Sequence, residues 1–275
     1  MFDAHVHIID PRFPLTEDDG DSPAPFTVAD YRAEVADLDI DGGVVVSGAI
    51  HDNDHGYLKA ILPELGTDWV GVTQLDPEAT EDEIIELDRI GVRAIRFNLA
   101  RAAIDIEGLT LQALRAHELV GWHVELFADG PMLASLQPVL AKLPALSIDH
   151  LGMSEEAMPY VLALVDRGVR VKASGFRRTG LDLVSAMRRI HAVNPAALMF
   201  GTDLPGPDRR FDRADLELIA EAVGPDGWTA VVTENARQFY RLPPIAHAAD
   251  SGRFGAGPAG DSAEHRTDHP DAAGE

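Results

Sequence analysis

The chain has no cysteine among its 275 residues. That excludes disulfides, thiolate metal sites and cysteine nucleophiles. Lysine occurs only at Lys59, Lys142 and Lys172, so arginine carries nearly all the positive charge, a usage that fits a GC-rich genome or a saline habitat. Positive charge is itself scarce. There are 23 basic residues against 46 acidic ones, a formal net charge of -23. Such a surface repels polyanions, so nucleic acid and anionic membrane are set aside as partners. No apolar run approaches the roughly 20 residues that cross a bilayer. A first strand starting at Phe2 leaves no room for a signal peptide, and a cytoplasmic protein is expected.

Hydrophobic residues make up 45% of the chain, enough for a substantial core. Short β-rich runs predict strands at Phe2–His7, Gly43–Ser47, Trp69–Leu75, Val92–Asn98, His123–Ala128, Leu146–Leu151, Val169–Gly175 and Leu198–Asp203. Between them, apolar residues at i, i+3 and i+4 predict helices. These are Val28–Leu38, Tyr57–Leu65, Glu81–Ile90, Leu109–Leu119, Met132–Leu143, Glu155–Val165, Leu181–Val193 and Arg213–Ala222, with a last one at Glu234–Tyr240. Eight strands alternating with eight helices in about 240 residues is the inventory of a (β/α)₈ TIM barrel in one domain, residues 1–245. An open doubly wound sheet could hold the same elements, but no strand ends in a glycine-rich phosphate turn. From residue 246 to 275 the composition turns to Gly, Ala, Pro and Asp without apolar period. A disordered acidic tail is expected there.

In such barrels the chemistry gathers at the C-terminal strand ends. The first strand ends in "FDAHVH", which puts His5 and His7 on one face. Later strand ends supply Ser47, Gln74, Arg96 with Asn98, His150, Lys172 with Ser174, Arg177 with Arg178, and Asp203. One buried histidine is usually a hydrogen-bonded packing residue. Three histidines, an aspartate and an arginine at one barrel end would cost several kcal/mol if unpaired, so a functional cluster is expected. His123 opens its strand and belongs to the opposite end. Glu125 lies mid-strand, a candidate partner for an arginine.

The stretches "FDAHVHIIDPRFP", "GVRAIRFNL", "LSIDHLG", "VKASGFRR" and "MFGTDLP" resemble the amidohydrolase superfamily. More narrowly they resemble the branch that includes 2-pyrone-4,6-dicarboxylate lactonase and sugar-lactone hydrolases. The resemblance implies a distorted barrel and hydrolysis of a small-molecule lactone. It matches His5, His7, His150 and Asp203 to the catalytic set, Arg96 to a substrate-binding arginine, and Arg177 and Arg101 to further ones. Two departures argue against a bridged two-metal centre. Arg96 stands where such enzymes carry a carboxylated lysine or glutamate, and the fifth strand ends without histidine.

Three imidazoles and a carboxylate suit a single tetrahedral Zn²⁺ at His5, His7, His150 and Asp203. The permanent cation of Arg96 opposes it, and the lactonase group is implied to need no essential metal. In the metal-free reading Asp203 is the general base and His5, His7 and His150 donate to the developing oxyanion. Arg96 and Arg177 then bind a substrate carboxylate, with Ser47 nearby. Lys172 either assists polarisation or pairs with Asp149. A zinc enzyme, which would also permit nonoxidative decarboxylation, is the alternative, and lactone isomerisation is another. A barrel kept as a bare scaffold fits the polar cluster poorly. Oligomeric state is not legible.

Overall fold

Among the described residues the short apolar runs become eight strands: β1 (Phe2–Val6), β2 (Gly42–Val46), β3 (Trp69–Thr73), β4 (Val92–Asn98), β5 (His123–Phe127), β6 (Leu146–Ile148), β7 (Arg170–Ala173) and β8 (Leu198–Phe200). The computed structural model describes residues 1–16, 23–99, 105–128, 130–206 and 209–243. The tail expected at 246–275 and Arg101 lie outside them. Helices α1 (Val28–Glu34), α2 (Gly56–Leu65), α3 (Glu81–Arg89), α4 (Ile106–Val120), α5 (Gly130–Leu140), α6 (Met158–Val165), α7 (Leu183–Val193), α8 (Ala214–Thr229) and α9 (Asn235–Phe239) follow the strands. Several begin on side-chain caps. Thr27 and Thr80 each form a reciprocal capping box, with Asp30 and Glu83. Asp182 caps α7.

The sheet is parallel throughout, in the order β1 to β8. Closure comes just past the end of β8. The Asp203 N–H donates to the His5 carbonyl at 2.8 Å, and the His7 N–H to Leu204 at 2.7 Å. This is the TIM barrel expected from the sequence. Alternate strand residues Val44, Val46, Val70, Val72, Ala94 and Met199 fill the interior, together with Phe2 and Tyr240. The opposite strand faces and the helices make the larger apolar layer outside.

Two expectations change. Strands β6, β7 and β8 stop earlier than the apolar runs suggest, and tight turns carry the polar residues instead. One 3₁₀ turn spans His150–Gly152 and another Phe176–Arg178. The last helices also differ. α8 runs to Thr229 through a break at Gly224, and a π-helical segment at Ala230–Glu234 joins it to α9. Among the described residues no helix is long and apolar enough to cross a membrane.

Candidate active site

β1 carries a bulge. Asp3 pairs with Gly43 and Val6 with Val45, so three steps of β1 match two of β2. Bulges re-aim side chains and recur beside active sites. Here His5 is fully buried, with its Nε2 3.2 Å from Nε2 of His7. His7 Nδ1 donates to the Val46 carbonyl at 2.7 Å. Burial, and next Lys172, holds the His5 pKa well below the ordinary imidazole value. Burial and then Arg96 do the same for His7. Both rings are therefore neutral near pH 7.

The neighbouring segments are pinned by Asp3. Its buried carboxylate accepts from Thr202 N at 2.9 Å, Thr202 Oγ1 at 2.7 Å, Tyr31 Oη at 2.9 Å and His5 N at 3.1 Å. Two further residues sit in left-handed backbone, His150 at φ 51° and Asp203 at φ 57°. For non-glycine residues that conformation costs about 1–2 kcal/mol each, strain of the kind concentrated at functional sites. It turns both side chains toward the barrel mouth. His150 Nδ1 lies 3.0 Å from Ser174 Oγ. Asp203 Oδ1 is 3.8 Å from Nε2 of His150 and 3.8 Å from Nε2 of His5, buried and without a hydrogen-bond partner among the described residues. Asp203 Oδ2 accepts from Arg178 Nε at 2.5 Å.

Above these groups opens a cavity of about 290 Å³. Its polar lining is His7, Arg96, Asn98, His150 and Arg178, and its apolar lining includes Ile9, Ile50, Phe127 and Pro205. The volume is at the small end of ligand pockets, which run from about 300 Å³ upward. Arg96 Nε and Asn98 Oδ1 are buried without a hydrogen-bond partner among the described residues. Orphaned polar atoms of this kind in a concave site are what a ligand satisfies.

The Amidohydrolase family model matches residues 2–242. The chain belongs to the amidohydrolase family. Among its relatives, a 2-pyrone-4,6-dicarboxylate hydrolase of Comamonas testosteroni is 25% identical over 250 residues, covering 80% of this chain and 82% of that protein. A 4-sulfomuconolactone hydrolase of Rhizobium radiobacter is 26% identical over 252 residues, covering 82% and 84%. An Agrobacterium tumefaciens protein solved without ligand superposes with a TM-score of 0.77 at 26% identity, over 89% of this chain and 96% of its own. This amidohydrolase is a hydrolase, and the family named from its sequence motifs is the family found.

The amidohydrolase site gathers His5, His7, His150, Asp203 and Arg96 at one barrel end. Three assignments move. Arg177 is 39% exposed and pairs with Asp212 outside the cavity, whereas Arg178 lines it. Gly175 is left-handed, so strand parity is lost before the arginine pair. Ser47 is buried and bonded through Oγ to Tyr57 at 2.6 Å, and only its carbonyl faces the site, accepting from Arg96 at 2.9 Å. Lys172 is fully buried beneath the cavity. It donates to Glu125 at 2.5 Å and lies 3.6 Å from Asp149, so the partner of Glu125 is a lysine rather than an arginine. His123 lies at the far end against Phe239 and Tyr240.

Asp149 emerges as the residue that sequence reasoning undervalued. It is fully buried and accepts from Arg96 Nη2 at 3.1 Å, which gives Arg96 the structural partner that the sequence did not reveal. Burial works against its charge, but the cations Lys172 and Arg96 beside it hold its carboxyl well below the usual range. Its sequence signals were its position beside His150 in "IDHLG" and its candidacy as a partner of Lys172.

The family's metal can be tested against these residues. One ligand atom from each of His5, His7 and Asp203 lies within 4.8 Å of the others. The 3.2 Å between the two imidazole nitrogens is close to the edge of a tetrahedral zinc set, about 3.3 Å for ligands at 2.0–2.1 Å. Donor type and spacing therefore suit a divalent ion. The proton inventory does not, because Lys172 Nζ stands 3.2 Å from His5 Nδ1 and occupies its lone pair. A neutral His5 then carries its proton on Nε2, the atom that would have to bind the ion.

Proposed function

We propose that this amidohydrolase opens the ring of a small lactone that carries an anionic group, a carboxylated pyrone or an acidic sugar lactone, without an essential metal. The observation that carries this reading is the placement of Asp203. Its unpartnered Oδ1 sits between two imidazoles, under a cavity walled by two guanidinium groups. The two curated relatives act on a pyrone dicarboxylate and a sulfomuconolactone, both anionic, and that supports the substrate class.

Asp203 accepts a proton from water as the water attacks the lactone carbonyl. His150 is the best donor to the developing oxyanion. If Ser174 donates to its Nδ1, the proton lies on Nε2 and faces the cavity. His7 holds its single proton on Val46, and His5 lies under the floor, so these two order the site rather than polarise the carbonyl. Collapse of the tetrahedral adduct breaks the ring C–O bond, and the leaving oxygen takes back the proton held by Asp203. Arg96 and Arg178 bind the substrate's anionic group, with Arg178 moving between Asp203 and the ligand.

The test is a hydrolysis screen over carboxylated pyrones, acidic sugar lactones and neutral lactones, before and after chelation. Turnover of the anionic substrates that survives chelation is expected. Preference for neutral lactones, or loss of all activity on chelation, overturns the reading and restores the zinc hydrolase or decarboxylase.

A further inference from the structure

A single file of hydrogen bonds runs beneath the cavity, and its direction can be read atom by atom. It starts at the carbonyl of Val46, which can only accept. His7 Nδ1, 2.7 Å away, must therefore bear a proton. The neutral His7 ring then has a lone pair on Nε2. His5 Nε2 faces that lone pair at 3.2 Å and closes the bond only as a donor. His5 Nδ1 is left with its own lone pair, and Lys172 Nζ donates to it at 3.2 Å. Lys172 is anchored on its other side by Glu125 at 2.5 Å, and Glu125 Oε1 accepts from the Tyr240 hydroxyl.

A competing arrangement is present in the same residues. Asp149 Oδ1 lies 3.5 Å from His5 Nδ1, buried and with no hydrogen-bond partner among the described residues. With the His5 proton moved to Nδ1, the imidazole would donate to Asp149, and Nε2 would offer a lone pair toward His7 and Asp203. That is the carboxylate–histidine arrangement that orients metal-binding imidazoles. Lys172 decides between the two, since it is the nearer group and brings a donor where the second arrangement needs an acceptor.

We propose that Lys172 locks the tautomer of His5, keeping its proton on Nε2, and so blocks a divalent-metal site that removal of this lysine opens. Lys172 acts through His5 and is a positioning residue. Charge argues the same way. Lys172, Arg96 and Arg178 are already paired with Glu125, Asp149 and Asp203, so a divalent cation would compete with cations matched to these carboxylates. Loss of Lys172 removes one positive charge from the group and leaves Glu125 without its cation, which favours a metal ion. The proposal does not depend on which substrate the cavity takes.

The test titrates zinc chloride into the chelator-stripped full chain. Lys172→Met is expected to bind one zinc about 10–100-fold more tightly than wild type, the scale on which partners of metal-binding histidines tune affinity. A further His7→Gln change should abolish the gain, which distinguishes this site from the histidines near the C-terminus. Because Lys172→Met leaves Glu125 short of a partner, Lys172→Met/Glu125→Gln serves as a second form that removes the buried pair together. Wild-type protein with ¹⁵N-labelled histidine gives a readout that needs no variant: the His5 proton should be coupled to Nε2 and not to Nδ1. Equal zinc affinity in wild type and folded variants, a gain that persists without His7, or a proton on His5 Nδ1 would overturn the proposal.

Discussion

The backbone N–H of Asp203 donates to the carbonyl of His5 at 2.8 Å, so the seam that closes the barrel runs through two residues of its candidate site. Site geometry and barrel closure are therefore the same physical event. The β8 strand itself stops at Phe200, and the seam is finished by a non-strand segment held on the Asp3 carboxylate. Asp3→Ala should leave the two Thr202 donors, the His5 N–H and the Tyr31 hydroxyl short of a buried acceptor. Unsatisfied buried donors cost about 1–3 kcal/mol each, so a loss of at least about 3 kcal/mol is expected. Urea unfolding measures it, and an unchanged midpoint would show that the seam does not need this carboxylate.

Gly175 should tolerate no side chain. Its φ is 61°, and a Cβ built on it would stand 2.3 Å from Nδ1 of His150. Gly175→Ala must either push the imidazole off Ser174 or distort the turn that carries Arg178. The expected outcome is a fall in kcat of tenfold or more, about 1.4 kcal/mol in barrier, with a folded protein. Retained kcat would mean that His150 is not held where the chemistry occurs.

The neighbouring arginines should separate cleanly. Arg178→Met removes a cavity guanidinium and should cut kcat/KM for an anionic lactone by about 10–100-fold, the 1.5–3 kcal/mol range of a charge-assisted hydrogen bond. Arg177→Met alters an exposed pair with Asp212 and should change it less than about twofold. The reverse ranking would return the anion-binding role to Arg177.

That exchange of neighbours shows where sequence reading stops. The barrel was legible because eight short apolar runs alternate with helical periods, and because His5, His7, Arg96, His150 and Asp203 all follow or end such runs. Strand parity predicts direction only while the strand lasts. β7 ends at Ala173 and the chain turns left-handed at Gly175, so nothing in the residue order tells Arg177 from Arg178. The left-handed backbone at His150 and Asp203 was equally hidden, since neither is glycine. The network of Lys172, Glu125 and Tyr240 joins β7, β5 and the residue after α9, contacts too distant in sequence for local patterning to register.

Stability should decline on mild acidification. Burial lowers the pKa of His123, whose Nε2 has no hydrogen-bond partner and whose ring packs on Phe239 and Tyr240. In the unfolded chain the ring titrates near 6.5. Below that value the unfolded state binds the extra proton, so folding is favoured above about pH 6.5 and weakens as pH falls. The melting temperature should therefore drop between pH 7 and pH 5. His123→Phe fills the same space without a titrating group. Burial also lowers the pKa of His5, His7, His51 and His150, which add to the same slope, so the variant should make it shallower by one histidine's share rather than abolish it. An equally steep slope in the variant would assign the acid sensitivity to other groups.

The two buried aspartates of the site should fail in opposite ways. Asp149 neutralises Arg96 and stands within 3.6 Å of Lys172, with both of its oxygens away from solvent. Asp149→Asn would leave the buried Arg96 without its counter-charge, while Lys172 keeps Glu125, and breaking such a pair from one side costs about 3–5 kcal/mol. Its main effect should be a large fall in melting temperature. Among the described residues the Asp203 carboxylate accepts a hydrogen bond only from Arg178, which is 33% exposed and can turn to water, and its Oδ1 has no hydrogen bond to lose. Asp203→Asn should therefore fold with nearly wild-type stability. Since an amide cannot take a proton from water, kcat should drop by about 10²–10⁴, the usual scale of general-base loss, with KM for an anionic lactone little changed. Paired melting and kinetic measurements decide it. An Asp203→Asn enzyme that keeps its rate is not deprived of a base, and the nucleophilic water would then have to be activated by His150.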